Sequence, residues 1–338
     1  MPGRRLPTDV SLDVSLGRGI TLDFHEGETV VFDGSDGGDV PVLSHAHGDH
    51  TTSTNPRGLV CSPLTAALAT ERRNLANPLE AGSHPDIDLR PAGHVAGSRA
   101  AYVTDPASGR TVCYTGDVCT RDRLFLDGFD PQPADDLVIE TTYGSPEYRL
   151  PPTDEVFADI RDWLRETMDR VVLLYGYALG RAQKLQMLAT RAGRDRVFVT
   201  DAVADVNRVI EAHRDVSFAV ERLDADVDLR PGDAVVLPPH EKRRGFVDGL
   251  VGDAETVDAG FSGWAVDSSY RYRRGYDVAF PLSDHCDFDE LTAVVEAVDP
   301  ERVFTHHGFA DEFARHVTAE FGVESRALKR DQHTLADF

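Results

Sequence analysis

The segment Ser44-His45-Ala46-His47-Gly48-Asp49-His50 constrains this chain more than any other. Three imidazoles and a carboxylate fall within six residues, directly after the apolar run Val40-Pro41-Val42-Leu43. Imidazole and carboxylate suit Zn²⁺, Mn²⁺ and related divalent ions. Side chains alternate along a strand, so His45 and His47 point one way as the strand ends. Asp49 and His50 lie just past the turn, within reach of a neighbouring position. The spacing therefore predicts two metals side by side. A solvated, histidine-rich loop is the alternative, and four such groups this close argue against it.

A chain of 338 residues is too long for one simple core, so two domains or one domain with a large insertion are expected. No apolar run reaches the roughly 18 residues of a transmembrane helix, and the N-terminus lacks the apolar region of a signal peptide. A cytoplasmic protein without membrane contact is expected. Cys61, Cys113, Cys119 and Cys286 are scattered, which argues against a disulfide scaffold and a cysteine zinc site. The net charge is −23, and lysine occurs only at Lys184, Lys242 and Lys329. The acid is diffuse rather than blocked, which fits a halophilic surface kept soluble at high salt. It counts only weakly against a nucleic-acid substrate.

Residues 11–43 alternate apolar and polar positions and read as antiparallel strands, with Val30 to Phe32 running into Asp33. Asp33 is a candidate support for the histidine loop, or simply a turn residue before Gly34. Pro63 to Asn74 reads as a helix. His94 lies in Gly93-His94-Val95-Ala96-Gly97, where flanking glycine permits close approach to a metal. Asp117 ends the β-rich run Thr111 to Gly116 and can bridge two cations. Glu140 ends the apolar strand Asp136 to Ile139; a charge there needs a partner, most usefully a histidine.

From about Pro151 the texture changes. A helix around Val156 to Leu164, a strand at Val171–Tyr175, a helix at Arg181–Arg191, a strand at 196–200 and a helix over Val203–His213 predict a parallel sheet with covering helices. The turn Gly176 to Gly180 with Arg181 is a weak phosphate-cradle candidate. Ser268 to Tyr276 interleaves Arg271, Arg273 and Arg274 with tyrosines, beside Lys242-Arg243-Arg244. Such a patch can contact phosphates and stack on bases; the alternative is a strand with an Arg-rich solvent face. His285 precedes a helix at Asp289–Val298, and the strand Arg302 to Thr305 runs into His306-His307-Gly308.

The series His45, His47, Asp49, His50, His94 and Asp117 resembles the HxHxDH…H…D pattern of the metallo-β-lactamase superfamily. Ile139-Glu140-Thr141-Thr142-Tyr143-Gly144, Gly180-Arg181-Ala182-Gln183, Pro281-Leu282-Ser283-Asp284-His285 and Thr305-His306-His307-Gly308 are similar to motifs of the β-CASP nucleases. That group includes the mRNA 3′-end processing endonuclease, archaeal and bacterial RNases, Artemis-like DNA nucleases and ligase-associated DNA exonucleases.

The resemblance implies an α/β fold: an αββα sandwich over 1–150 and 276–338, with a parallel α/β cap inserted over 151–275. It implies two Zn²⁺, with Mn²⁺ as the alternative. His45, His47 and His94 would bind the first ion, Asp49, His50 and His307 the second, and Asp117 both. The family has His directly before Gly, which favours His307 over His306. Asp49, Glu140 and His285 would be catalytic, with Asp49 orienting the attacking water. His285, held by Glu140, would be the acid that protonates the leaving 3′ oxygen. Gly180, Arg181, Arg271, Arg273 and Arg274 are the candidate substrate contacts.

The expected function is hydrolysis of phosphodiester bonds in single-stranded RNA or DNA. His at the third motif is usual for RNA-acting members, but ligase-associated DNA exonucleases also carry it and the short inserted segment resembles theirs; RNA is modestly favoured. Endo- or exonuclease action and oligomeric state, a homodimer included, stay open. An ester or thioester hydrolase explains the histidine cluster but not Glu140 or His285. A non-catalytic processing subunit does not explain an intact donor set.

Overall fold

The computed structural model describes residues 12–24, 27–34, 38–50, 56–224, 226–244 and 255–329, the side chains of 243 and 244 excepted. The Arg243 and Arg244 side chains of the expected basic patch therefore lie outside the described residues. Leu12–Leu16 (β1), Ile20–Phe24 (β2), Thr29–Phe32 (β3) and Val40–Val42 (β4) form a first sheet in chain order. β1, β2 and β3 pair antiparallel, but β3 and β4 run parallel. Alternation predicted antiparallel strands throughout; it reports which face is buried and is blind to strand direction. Helix α1 (Pro63–Arg72) follows, begun by a Ser62 side chain that accepts from the Thr65 N–H at 3.0 Å and by proline in its first turn.

Ile87–Pro91 (β5), Arg99–Thr104 (β6), Thr111–Tyr114 (β7) and Asp136–Glu140 (β8) open a second sheet. The chain then leaves it for α2 (Thr153–Glu166), β9 (Val171–Tyr175), α3 (Arg181–Arg191), β10 (Val197–Val199), α4 (Asp201–His213), β11 (Glu221–Arg222), β12 (Ala234–Leu237), β13 (Thr256–Phe261), α5 (Tyr270–Arg274) and β14 (Val278–Phe280). After α6 (Phe288–Val298), strand β15 (Arg302–His306) pairs parallel with β8. Helix α7 (Ala310–Phe321) and edge strand β16 (Glu324–Ala327) finish that sheet, whose order is β16-β15-β8-β7-β6-β5.

The first two sheets pack face to face. Val14, Leu22 and Phe32 meet Val103, Val112, Tyr114 and Val138. The far face of the second sheet is covered by α6 and α7, with Leu137 and Ile139 among Leu291, Val295, Phe313 and Val317. Both faces of β8 are thus covered and all five of its residues are buried, which is why Leu137 to Ile139 read as an unbroken apolar run between two acids. The strands of the third sheet, in order β11-β10-β12-β9-β13-β14, all pair parallel. Helices α2 and α3 pack on one of its faces through Ile160, Leu164, Leu185 and Leu188. Strand β14 pairs with β13, so the third sheet continues past residue 275, where the insertion was expected to end. Among the described residues, no helix is long and apolar enough to cross a membrane.

The fold gathers strand ends. β4 runs into His45, β7 runs to Asp117, and β8 and β15 end at register partners Glu140 and His306. Phe32 is fully buried between the sheets and stacks on Tyr114, with ring centroids 4.2 Å apart. Phe32→Ala should lower unfolding free energy by about 3–5 kcal/mol, measured by urea denaturation. A loss below about 1 kcal/mol would show that the sheets do not lock through this ring.

Candidate metal centre

Four inward-facing donor atoms converge beside β4 and β7. His47 Nδ1 lies 3.1 Å from His45 Nε2 and 3.1 Å from His94 Nε2. Asp117 Oδ2 lies 3.5 Å from His45 Nε2 and 3.4 Å from His94 Nε2. The outer nitrogens of the three rings are already committed. His47 Nε2–H donates to the Leu179 carbonyl at 3.2 Å, and His94 Nδ1–H to the Asp284 carbonyl at 2.8 Å. Ser44 Oγ donates to Asp33 Oδ2 at 2.6 Å and so accepts from His45 Nδ1–H at 2.9 Å. Burial above all keeps these rings neutral: His47 falls to about 4, and His45 and His94 fall well below the usual imidazole range. Three lone pairs and a carboxylate oxygen therefore face one another with no proton to share. That arrangement suits a cation, since outer partners fix the tautomer that leaves the inner nitrogen free.

A second group lies on the other side of Asp117. One ligand atom each from His50, Asp117 and His307 falls within 4.8 Å of the others. His50 Nε2 is 3.7 Å from Asp117 Oδ1, a buried oxygen that takes no hydrogen bond from the described residues. Asp49 Oδ2 is 3.9 Å from His50 Nε2, and its side chain is 70% exposed at the mouth. Burial lowers His50, but Asp117 and then Asp33 outweigh it and raise the ring to about 10. This concentration of negative charge is what a cation would answer. The donor set, three neutral imidazoles on one side of a shared carboxylate and His50 and His307 on the other, fits two divalent ions, the second taking the place of the His50 proton.

Asp33 organises the rear of the site. It sits at φ 49° and accepts from the Ser44 N–H at 2.7 Å, Tyr114 OH at 2.8 Å and His50 Nδ1–H at 3.0 Å. Gly116 lets the Asp117 loop close on the histidine loop, because a Cβ there would lie 2.8 Å from Ser44 Cβ. Of the paired histidines at the end of β15, His306 is buried and stacks on Tyr114. His307 takes a left-handed turn, φ 63°, which redirects its ring toward His50 and Asp117.

Glu140, fully buried, accepts from His285 Nδ1–H at 2.8 Å. Burial works against both charges, but each partner outweighs it: Glu140 falls to about 2 and His285 rises. The His285 ring lies 4.5 Å from the His94 ring, centroid to centroid.

The expected substrate contacts fall into a buried group and an exposed one. The Gly180 N–H donates to Gln183 Oε1 at 2.8 Å, which closes the phosphate cradle. Arg181 is buried, pairs with Asp284 Oδ2 at 3.1 Å and donates to the Phe261 carbonyl. Asp284 also takes Arg123 at 3.1 Å and Lys184, so three buried cations surround one carboxylate. Against the cost of burial, Lys184, then Arg181 and Arg123, hold the Asp284 carboxyl well below its usual range. Arg123 further donates to the Ser283, Gly93 and His94 carbonyls. The Ser268–Tyr276 patch contains a short helix, α5, rather than a strand. Arg271 stacks on Tyr272, Arg274 lies over Tyr270, and Arg273 pairs with Asp267 at 2.8 Å. These arginines belong to an exposed helix and are not among the metal-site donors. Arg123 and Ser44 were missed from sequence, because neither stands in a pattern that distinguishes it from ordinary loop residues.

No family model matches the chain. It is 34% identical over 300 residues to a probable DNA ligase of Opitutus terrae, a match spanning 86% of this chain and 28% of that protein. It is 32% identical over 183 residues to an RNase J-like protein of Methanocaldococcus jannaschii, across 44% of this chain and 43% of that protein. Both names are those of proteins that act on nucleic acid. The chain thus spans less than half the length of either relative. A solved protein of unknown function from Enterococcus faecalis matches in fold, with TM-score 0.61 and 12% identity, over 95% of this chain and 97% of that one.

Removing the Asp284 charge leaves three buried cations without their shared partner. Asp284→Asn should therefore destabilise the protein by about 3–5 kcal/mol in urea unfolding. An unchanged midpoint would mean that the clamp is not held by charge.

Proposed function

We propose that this chain is a two-metal phosphodiesterase of the β-CASP type that cleaves single-stranded nucleic acid. The observation that carries the reading is the pair of donor groups sharing Asp117, with the Glu140–His285 pair beside it. His45, His47, His94 and Asp117 would hold one cation, zinc or manganese. Asp117, His50 and His307 would hold the other, with Asp49 at its open side. Such ions supply Lewis acidity toward phosphoryl oxygens and acidify a water. Asp49 orients that water from the mouth. Glu140 keeps a proton on His285 and fixes its ring, so that the second ring nitrogen can protonate the leaving 3′ oxygen. An ester hydrolase has no need of this buried acid pair.

Three observations divide RNA from DNA. The RNase J-like relative and His307 in the third motif favour RNA. The match that spans 86% of the chain, to a protein named probable DNA ligase, favours DNA as the second reading. The assay compares 5′-labelled single-stranded RNA and DNA with Zn²⁺ or Mn²⁺, at low and high salt, with and without chelator, beside an ester substrate. Chelator-sensitive oligonucleotide cleavage is expected; ester turnover alone would refute the reading. His285→Ala should keep its metal and lose about 10²–10⁴-fold in kcat; loss of metal would make His285 a ligand instead. His307→Ala should bind less metal by elemental analysis, and His306→Ala should bind the same amount as the unaltered chain. The reverse pattern would exchange their roles.

A further inference from the structure

Beside His47 lies a cavity of about 370 Å³ that the metal centre does not use. Ala178, Val206 and Pro238 give it apolar walls, and its polar lining mixes Arg72 and His240 with Glu71 and Asp205, which pair with Arg208 and Arg222. Tyr177 also lines it and is 56% exposed, in contrast to the buried Tyr143 and Tyr175. The Tyr177 ring is held from beneath by Arg181, whose guanidinium carbon lies 4.8 Å from the ring centroid. Arg181 is itself fixed by Asp284, so the tyrosine stands on a rigid base. The centroid of the His47 ring is 6.4 Å from that of Tyr177. Arg72 is exposed at the end of α1, and its charge acts on His47.

We propose that Tyr177 and this cavity form a nucleobase subsite for the nucleotide next to the scissile phosphate. This rests on the nuclease reading. A flat aromatic face backed by a guanidinium, with a cation nearby, is what a stacked base and its flanking phosphate require. The neighbouring wall is apolar, and stacking accepts any base, so the subsite tolerates sequence. A base inside a duplex has both faces stacked on its neighbours, so the subsite selects a nucleotide that is unstacked beside the cleaved bond.

The test is a cycle between enzyme and substrate. Tyr177→Ala and Tyr177→Phe are compared with the unaltered enzyme on a labelled single-stranded oligonucleotide and on copies with one abasic nucleotide placed in turn on either side of the cleaved bond. Tyr177→Ala should raise KM about tenfold or more on the intact strand. One abasic position should impose a similar loss on the unaltered enzyme and add nothing further to Tyr177→Ala. Tyr177→Phe, which keeps the ring, should remain within about twofold of the unaltered enzyme on the intact strand, so a merely structural defect is separated. The subsite is overturned if Tyr177→Ala cleaves the intact strand normally, or if the two losses multiply. If the unaltered enzyme cleaves no oligonucleotide with metal present, the nuclease reading fails first and the subsite fails with it.

Discussion

Three neutral imidazoles aim unshared lone pairs at a common point, and a single carboxylate faces them from the side. Lone pairs 3.1 Å apart with no proton between them repel, unless a cation lies among them. The surrounding structure is arranged to keep the rings in that state. The Leu179 and Asp284 carbonyls and the Ser44 hydroxyl each take the outward N–H of one ring, and burial suppresses its protonation. Asp33 reaches two rings at once, His50 directly and His45 through Ser44. Its own position depends on the stacked pair of Phe32 and Tyr114 between the sheets. The core and the donor geometry are therefore coupled through one buried carboxylate.

The parallel sheet is tied to the same point. The carbonyl of Leu179, just before α3, accepts the His47 N–H, and the carbonyl of Asp284, just after β14, accepts the His94 N–H. Asp284 binds Lys184 and Arg181 of α3 together with Arg123 of the loop after β7. A shift of the parallel sheet would thus move two outer partners of the metal-facing rings. Such buried charge is a poor source of net stability, but it fixes which parts must sit together.

Much of this was legible in the residues. The spacing of His45, His47, Asp49 and His50 and the strand-end positions of Asp117 and Glu140 are local patterns, and periodicity marked α3 at its observed bounds. Glu140 was expected to need a histidine partner, and His285 lies 145 residues away in sequence. What was not legible depends on direction and on distant pairing. Strand alternation could not show that β3 and β4 are parallel. The alternative weighed for the interleaved arginines and tyrosines at 270–276 was a strand, and the helix there went unseen because five residues are too few to show its period. Arg181 looked like a phosphate contact because nothing local reveals that Asp284 and the Phe261 carbonyl take it. His306 and His307 are adjacent in sequence, and only the left-handed turn at His307 separates a packed ring from a site-facing one.

The most direct measurement of the central claim is anomalous diffraction at the zinc absorption edge, from crystals of the protein grown with Zn²⁺. The account predicts two peaks flanking Asp117, one among His45, His47 and His94, the other beside His50 and His307. A single peak, or zinc held away from Asp117, would contradict it.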